Sequence, residues 1–290
     1  LNDQVAGHEA SIYTVAGGAL VVKSCSPSES GFYQNALIHQ DAVTSKSQQE
    51  LITRLKKYLP TYHGTVQLIS DTDESTEKGE DFAVVLENLT RGYKHANVLD
   101  IKLGKQLWDD TASEEKKKRL DEVAKTSTSA EVGLRLTGWQ IWDNEKNDLM
   151  KVGKAFGKAA KVVQLPLGLQ SFFGLATKEE AAQISNIAGE QVSAVVLPEK
   201  SVERIIQDGV IPAMKEIIEI VKKLEWRIRG SSLLIVFEVD TTNLNNATIL
   251  KANSSRLVDV RLIDFAHASF GKEKGADEGY LSGLQTTKEL

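Results

Sequence analysis

The sequence predicts an α+β fold in two lobes, an antiparallel sheet in the first and a larger mixed arrangement of helices and strands in the second. Three observations carry this expectation. The first third of the chain is built from short β-rich runs broken by glycine and polar loops. After Glu87 the character changes, and strand-like runs alternate with polar and amphipathic helical segments. From Val202 onward one long helical pattern is followed by three strand-like runs. Such a two-lobe chain is expected to hold a ligand cleft at the join, with the lobes at residues 1–87 and 88–290.

In the first lobe, Ser11 to Val15 and Ala19 to Lys23 read as two strands joined by a Gly17-Gly18 turn. Ser28 to Gln34 begins a helical segment that continues through Leu37. Gln48 to Leu59 has Leu51, Ile52, Leu55 and Leu59 at helical spacing and is stopped by Pro60. Thr65 to Ile69 and Phe82 to Glu87 are strand-like. The acidic, Ser/Thr-rich stretch Ser70 to Glu80 between them reads as a mobile hairpin tip.

In the second lobe, Asn97 to Lys102 is a short apolar strand interrupted by two opposite charges and closed by Gly104. Ser113 to Ala124 reads as a polar helix with Ser113 as its N-cap. Val132 to Trp142 alternates as a strand does. Lys151 to Lys158 interleaves lysine with glycine and reads as a loop or weak helix, while Phe172-Phe173 is expected in the core. Val202 to Ile228 is an amphipathic helix that Pro212 kinks or splits. Ser232 to Val239, Leu257 to Ile263 and the approach to Phe265 complete the strands.

The 290 residues, 41% hydrophobic and 26% charged, suit a globular chain with a core of normal size. No apolar run reaches the roughly 20 residues of a membrane helix, so no transmembrane segment is expected. The single cysteine, Cys25, precludes an internal disulfide and fits a reducing compartment, the nucleus or cytoplasm. A net charge of −5 argues against direct nucleic-acid binding. Against that acidic background Lys116, Lys117, Lys118 and Arg119 form an unbroken basic run, which suits either a compact anionic ligand or a solvated helix face.

Phosphoryl transfer needs a cation on the nucleotide phosphates, a carboxylate on a metal, and an acid–cation pair beside the attacking hydroxyl. Lys23 ends an apolar strand and is placed either to reach across a cleft or to sit in solvent. Asp100 and Lys102, two apart, share one face of an extended segment. There the aspartate can orient a hydroxyl or accept its proton while the lysine neutralises the moving phosphoryl group. The plainer alternative is a same-face ion pair. Asp264 follows the strand Val260 to Ile263, where a carboxylate can bind Mg²⁺ through oxygen, and His267 lies three residues on. Each is as readily a surface group when taken alone.

Taken in order, these residues resemble the inositol polyphosphate kinase family, and within it the fungal multikinases. The family signature Pro-x₃-Asp-x-Lys-x-Gly appears as Ala96 through Gly104, with alanine in place of proline, a change that removes no chemical group. Ser231-Ser232-Leu233-Leu234, Ile263-Asp264-Phe265 and the tail Asp277 to Leu284 match further family motifs. Ala6-Gly7-His8 and Lys23 match its nucleotide-lobe pattern. One departure is Gly31, which stands where members often carry a glutamate before Phe-Tyr; Glu29, two residues earlier, either substitutes or leaves the lysine unpaired.

The resemblance implies a two-lobed protein-kinase-like fold, with residues 1–87 binding nucleotide and residues 88–290 catalytic, including a substrate-binding helix at about 105–128. It implies that Lys23 binds ATP phosphates, that Ser11 lies where the first loop passes over the nucleotide, and that Glu87 to Leu89 receive adenine, mainly through backbone groups. Asp100 would contact the nucleotide and serve catalysis, Lys102 would touch both the inositol phosphate and the transferred group, and Asp264 would hold Mg²⁺. His267, Lys116, Arg119 and Lys125 would bind substrate.

The implied activity is ATP-dependent phosphorylation of inositol 1,4,5-trisphosphate to tetrakis- and pentakisphosphate, extending to the headgroup of phosphatidylinositol bisphosphate. The partners implied are ATP, soluble inositol phosphates, phosphoinositide headgroups and transcription-regulatory proteins. The short stretch Lys105 to Val132 before Gly133-Leu134-Arg135 suggests a small, open substrate site. Asp-Ile-Lys-Leu-Gly, where hexakisphosphate kinases usually read Asp-Leu-Lys-Met-Gly, favours the multikinase type. A hexakisphosphate kinase making pyrophosphates and a non-catalytic scaffold with the same fold are the alternatives. A protein kinase is disfavoured, because neither His-Arg-Asp nor Asp-Phe-Gly occurs.

Overall fold

The computed structural model describes residues 12–34, 45–67, 82–240, 257–271 and 275–290. Ser11, Ala6 to His8 and the expected hairpin tip at Ser70 to Glu80 lie outside the described residues.

The first sheet begins with the hairpin of β1 (Ile12–Val15) and β2 (Leu20–Cys25). Its turn runs through left-handed backbone at Ala16, Gly17 and Gly18, with φ of 53°, 63° and 81°. Glycine supplies that conformation without steric cost at two of the three positions. Next to β2 lies β4 (Phe82–Glu87), and β3 (Tyr62–Gln67) closes the antiparallel order β1-β2-β4-β3.

Helix α1 (Pro27–Gly31) starts where the Ser26 hydroxyl accepts from the Glu29 amide, with proline in its first turn. The chain then winds on as a π turn through Phe32 to Gln34. Helix α2 (Lys46–Leu55) buries Leu51, Ile52 and Leu55. The helix expected to reach Leu59 stops at Leu55. In the structure the last turn tightens to a 3₁₀ turn, Lys56–Tyr58, because the residue before a proline is driven out of the helical region.

The second sheet has the order β10-β9-β5-β6-β7, all antiparallel. Its strands are β5 (Ala96–Leu103), β6 (Leu134–Asp143), β7 (Asp148–Val152), β9 (Ser232–Glu238) and β10 (Val258–Ile263). A separate ribbon pairs β8 (Trp226–Arg229) with β11 (His267–Phe270). Between β5 and β6 lie α3 (Glu114–Lys125) and α4 (Ser129–Val132). The Ser113 hydroxyl accepts from the Lys116 amide, as the sequence leads one to expect of a cap.

The stretch read as loop or weak helix is ordered structure: β7, then α5 (Lys154–Ala159) and α6 (Leu165–Phe172). Glycine here serves contact rather than looseness. A Cβ on Gly157 would stand 1.7 Å from the Leu136 carbonyl oxygen, and one on Gly168 would stand 2.4 Å from Leu136 Cδ1. Both helices therefore press directly onto β6. Phe172 and Phe173 are buried against Phe237.

Helix α7 (Lys178–Ala188) follows with a full capping box at Thr177. The long helix read across 202–228 is three pieces: α8 (Glu199–Arg204), a π turn over Ile205–Val210, and α9 (Ile211–Val221). Pro212 sits in the first turn of α9, where its missing N–H costs least. The chain leaves the helix after Val221, so that Trp226 to Ile228 belong to β8.

The last helix, α10 (Glu278–Glu289), is capped by Asp277 and packs its glycine face on the β5–β6 end of the sheet. Cβ atoms on Gly283 and Gly133 would each meet the other's backbone at 2.0 Å and 2.8 Å. No helix among the described residues is long and apolar enough to cross a membrane.

Candidate active site

Between the two sheets lies a cavity of about 180 Å³. The first sheet contributes Ile12, Val21, Lys23 and Leu86; the second contributes Val98, Asp100, Leu234 and Ile263, and Asp264 follows directly on β10. Val21 and Lys23 alternate with outward residues along β2, as period two requires. The apolar pairs form two opposed walls for a flat ring, and Glu87 to Thr90 form the rim. Glu87 accepts from the Thr61 amide and hydroxyl and lies 3.6 Å from Arg261. Arg261 is buried on β10, bonded to Asp259 at 2.7 Å and to the Leu59 carbonyl at 2.6 Å. The rim is thus tied to both sheets.

At the deep end the charged groups converge. The Lys23 ammonium donates to Glu29 and to Asp264, each at 2.7 Å. Burial works to lower its pKa, but the Asp264 and Glu29 charges outweigh burial and hold Lys23 well above its usual value. It stays a cation throughout the working range. Glu29 is buried and therefore fixes the lysine, whereas the Asp264 side chain remains 40% exposed. Asp264 itself has φ 65°, a left-handed conformation that aspartate tolerates better than most residues. The segment is pinned on both sides. The Ser231 hydroxyl donates to the Ile263 carbonyl at 2.8 Å, and the Phe265 ring stacks on Phe32 with centroids 4.5 Å apart.

Asp100 is buried, with Oδ1 lacking a hydrogen-bond partner. Burial, then the nearby Asp264 charge, push its pKa up from 3.8 to about 6; Ser232, Lys102 and Thr137 act in the opposite direction. A register shift skips Thr137 between Asp100 and Ile101, and such a bulge re-aims side chains locally. A buried carboxylate with a raised pKa weakens the fold once ionised. Its native form binds more protons than the unfolded chain between pH 3.8 and about 6, so stability falls as pH rises through that window. Asp100→Asn is accordingly expected to melt higher than wild type at pH 7.5 in metal-free buffer. The shift from 3.8 to about 6 corresponds to about 3 kcal/mol, and the two melting curves should converge near pH 4. A gap that persists or widens at pH 4 contradicts this account.

The paired carboxylates Asp100 and Asp264 offer oxygen donors of the kind a hard divalent cation takes, and a cation between them relieves their mutual repulsion. Among the described residues no group of three or more His, Cys, Asp or Glu could hold a metal. Phosphate oxygens and water would complete the shell. That donor set fits Mg²⁺ or a similar cation rather than a closed protein cage.

Lys102 continues the Asp100 face, its ammonium beside Gly230 in the β8–β9 turn, where a Cβ would stand 3.7 Å from Nζ. His267 on β11 bonds through Nδ1 to Asp109 at 2.8 Å. The Asp109 carboxyl is held below its usual range by hydrogen bonds from Thr111 and by the His267 and Lys116 charges. Lys116 and His267 therefore meet at Asp109. Arg119 lies on the Lys116 side of α3, three residues on. Lys125, nine residues on, lies about two and a half turns away on the opposite face.

Ser11 lies outside the described residues, while Glu87 and Leu89 sit on the rim. Of the two alternatives for Glu29, the structure shows the substitute: it pairs with the cleft lysine despite Gly31. One group was not among the predicted site residues. Asp109 gathers Lys116 and His267, and only the Asp-Asp-Thr turn chemistry hinted at it.

Two lobes joined by a rim, a lysine–glutamate pair and converging carboxylates define a kinase-like phosphotransferase. A model of the family described as inositol polyphosphate kinase matches residues 83–290. An inositol polyphosphate multikinase of Schizosaccharomyces pombe is 27% identical over 284 residues, covering 97% of this chain and 92% of that protein. Inositol hexakisphosphate kinase 3 of Mus musculus is 26% identical over 213 residues, 70% of this chain and 48% of its own. The crystal structure of the inositol phosphate multikinase Ipk2 of S. cerevisiae with ADP and Mn²⁺ aligns with a TM-score of 0.69 at 25% identity, covering 94% and 97% of the two chains. The chain belongs to the inositol polyphosphate kinase family.

Proposed function

We propose that the protein is an ATP-dependent inositol polyphosphate multikinase that converts inositol 1,4,5-trisphosphate to tetrakis- and pentakisphosphate, with phosphatidylinositol bisphosphate as a further acceptor. The observation that carries it is the convergence of Lys23, Glu29, Asp100 and Asp264 at the end of an apolar cavity. Lys23 neutralises ATP phosphates and Glu29 holds it in place. The apolar walls take adenine, with backbone groups of Glu87 to Leu89 at its edge. Asp264, with Asp100 beside it, would hold Mg²⁺, which when bound screens charge on the phosphates. Asp100 orients the acceptor hydroxyl and takes its proton. Lys102 stabilises the moving phosphoryl group, and Lys116, Arg119 and His267 bind acceptor phosphates, a set that Lys125 on the opposite face of α3 does not join.

The domain division at residues 87 and 88 and a place of work in nucleus and cytoplasm belong to the same reading. Support for a multikinase comes from the S. pombe relative, which aligns over nearly its whole length. The hexakisphosphate kinase likeness supports the second reading.

The deciding experiment incubates the protein with Mg-ATP and, separately, inositol trisphosphate, inositol hexakisphosphate and phosphatidylinositol bisphosphate, resolving products by position. Turnover of the trisphosphate is expected. Exclusive turnover of hexakisphosphate would move the protein to the pyrophosphate-making branch, and no turnover of any acceptor would leave the scaffold reading.

A further inference from the structure

Pro60 lines the cavity between the sheets but belongs to neither of them. It has no N–H of its own to anchor it, so its place is set through its neighbours. Before it, the Leu59 carbonyl accepts from Arg261 Nη1 at 2.6 Å. After it, the Thr61 amide and hydroxyl donate to the Glu87 carboxylate, and the Thr61 carbonyl accepts from the Glu87 amide at 2.9 Å. That carboxylate lies 3.6 Å from Arg261. Both brackets on Pro60 thus lead to one buried guanidinium.

Arg261 stands on β10 opposite Leu234 on β9. Cross-strand partners project to the same face, and so does Ile263, two residues on along β10. Leu234 and Ile263 wall the cavity from the second sheet. The Arg261 Nε donates to Asp259 at 2.7 Å, two residues back on the same face. That bond fixes the guanidinium and leaves Nη1 to the Leu59 carbonyl. A planar fork held at two points keeps a distance better than a flexible ammonium would. The deep end of the cavity is built separately, because Glu29 and Asp264 hold Lys23 there.

We propose that Arg261 is a positioning residue for the adenine slot. Through the Leu59 carbonyl and Glu87 it sets how far Pro60 stands from Leu234 and Ile263, and so how tightly the base of ATP is held. This rests on the reading of the cavity as the ATP site. It separates two parts of nucleotide affinity: Arg261 governs the grip on the base, while the grip on the phosphates belongs to Lys23 and Asp264.

The test compares the full chain as wild type, Arg261→Met and Arg261→Lys. Titration calorimetry with Mg²⁺ gives the Kd of ADP and of inorganic tripolyphosphate, which has no base; steady-state kinetics with inositol trisphosphate and thermal melts accompany it. For Arg261→Met we expect the ADP Kd and the ATP KM to rise about 10-fold, as for loss of charge-assisted bonds that hold a wall of the slot. The tripolyphosphate Kd and the acceptor KM should each change less than about twofold. Arg261→Lys should recover part of the loss, because an ammonium keeps the charge without the fork. A lower melting temperature and kcat with an unchanged ADP Kd overturn the proposal, since Arg261 would then serve stability alone. An equal loss of ADP and tripolyphosphate also overturns it, because the whole cleft would have loosened. Should Arg261→Met not fold, the same Kd values of Arg261→Lys decide on the same terms. A wild type that binds no ADP overturns the ATP-site reading and the proposal with it; a wild type that does, beside variants of equal ADP Kd, overturns the proposal alone.

Discussion

Replacing Asp264 with asparagine is expected to lower turnover by about a thousandfold while leaving the protein folded. The choice of asparagine matters. Asp264 sits at φ 65°, and asparagine is among the few residues that accept left-handed backbone readily, so the substitution removes charge with little added strain. Alanine at the same position combines loss of the proposed metal carboxylate with backbone strain and confounds the two. In Asp264→Asn, Lys23 keeps its 2.7 Å bond to the buried Glu29 and the Phe265–Phe32 stack is untouched. The melting temperature should therefore stay within a few degrees of wild type. The checks are product formation under saturating Mg-ATP and a thermal melt of the same preparation. Near-normal turnover in a folded Asp264→Asn protein would remove Asp264 from the site and with it the reading of the carboxylate pair.

The second large effect is on stability, far from any ligand. Gly283→Ala is expected to destabilise the protein by at least about 3 kcal/mol and to lower its melting temperature by on the order of 10 °C. The new Cβ would stand 2.0 Å from the Gly133 carbonyl oxygen and 3.2 Å from Leu103 Cδ2. Neither α10 nor the turn before β6 can retreat easily. The Gly133 carbonyl also accepts from the Gly104 amide at 2.7 Å, so pushing it away disturbs the end of the Asp-Ile-Lys-Leu-Gly strand. A helix-favouring residue thus becomes harmful because of the contact, against its propensity gain of roughly 1 kcal/mol over glycine. Differential scanning calorimetry of the variant reports this directly, and a melting temperature equal to or above wild type would show that α10 does not seat as described.

Much of this architecture was readable from residue order. The strands around Lys23, Asp100 and Asp264 are apolar runs with charges at their ends or alternate positions, and Ser113 and Pro60 are local boundary signals with a mechanical cause. Other elements escaped for a physical reason. Gly157 and Gly168 look like loop residues in a single chain, because what makes them useful is a distant partner, Leu136, that local spacing cannot name. The division of the 202–228 helix follows the same logic, since a π turn accommodates Pro212 and Val258 crowds Gly209 from β10.

The site divides in a similar way. Lys23, Asp100, Lys102 and Asp264 could each be singled out by residue type and strand position, but their meeting could not. Lys23 and Asp264 are 241 positions apart in the chain, and no periodicity connects them. Glu29 was visible as an acidic residue near the lysine strand, yet only folding α1 back onto Phe265 shows that it pairs with Lys23 despite Gly31. Asp109 falls outside any helical or strand pattern of function, because its significance lies in which cations stand beside it.

The docking of Phe32 and Tyr33 onto Phe265 has one more consequence. Kinase-like enzymes that swing the glutamate-bearing helix away from the lysine have a lever by which other proteins switch them off. Here that helix is short, is entered through a capped proline turn, and is fastened by two aromatic rings to the residue next to Asp264. Moving Glu29 outward would break the packing of Phe32 and Tyr33 on Phe265 and disturb Asp264 at the same time. The lever is tied down: Glu29 swings out only if the rings beside Asp264 come apart.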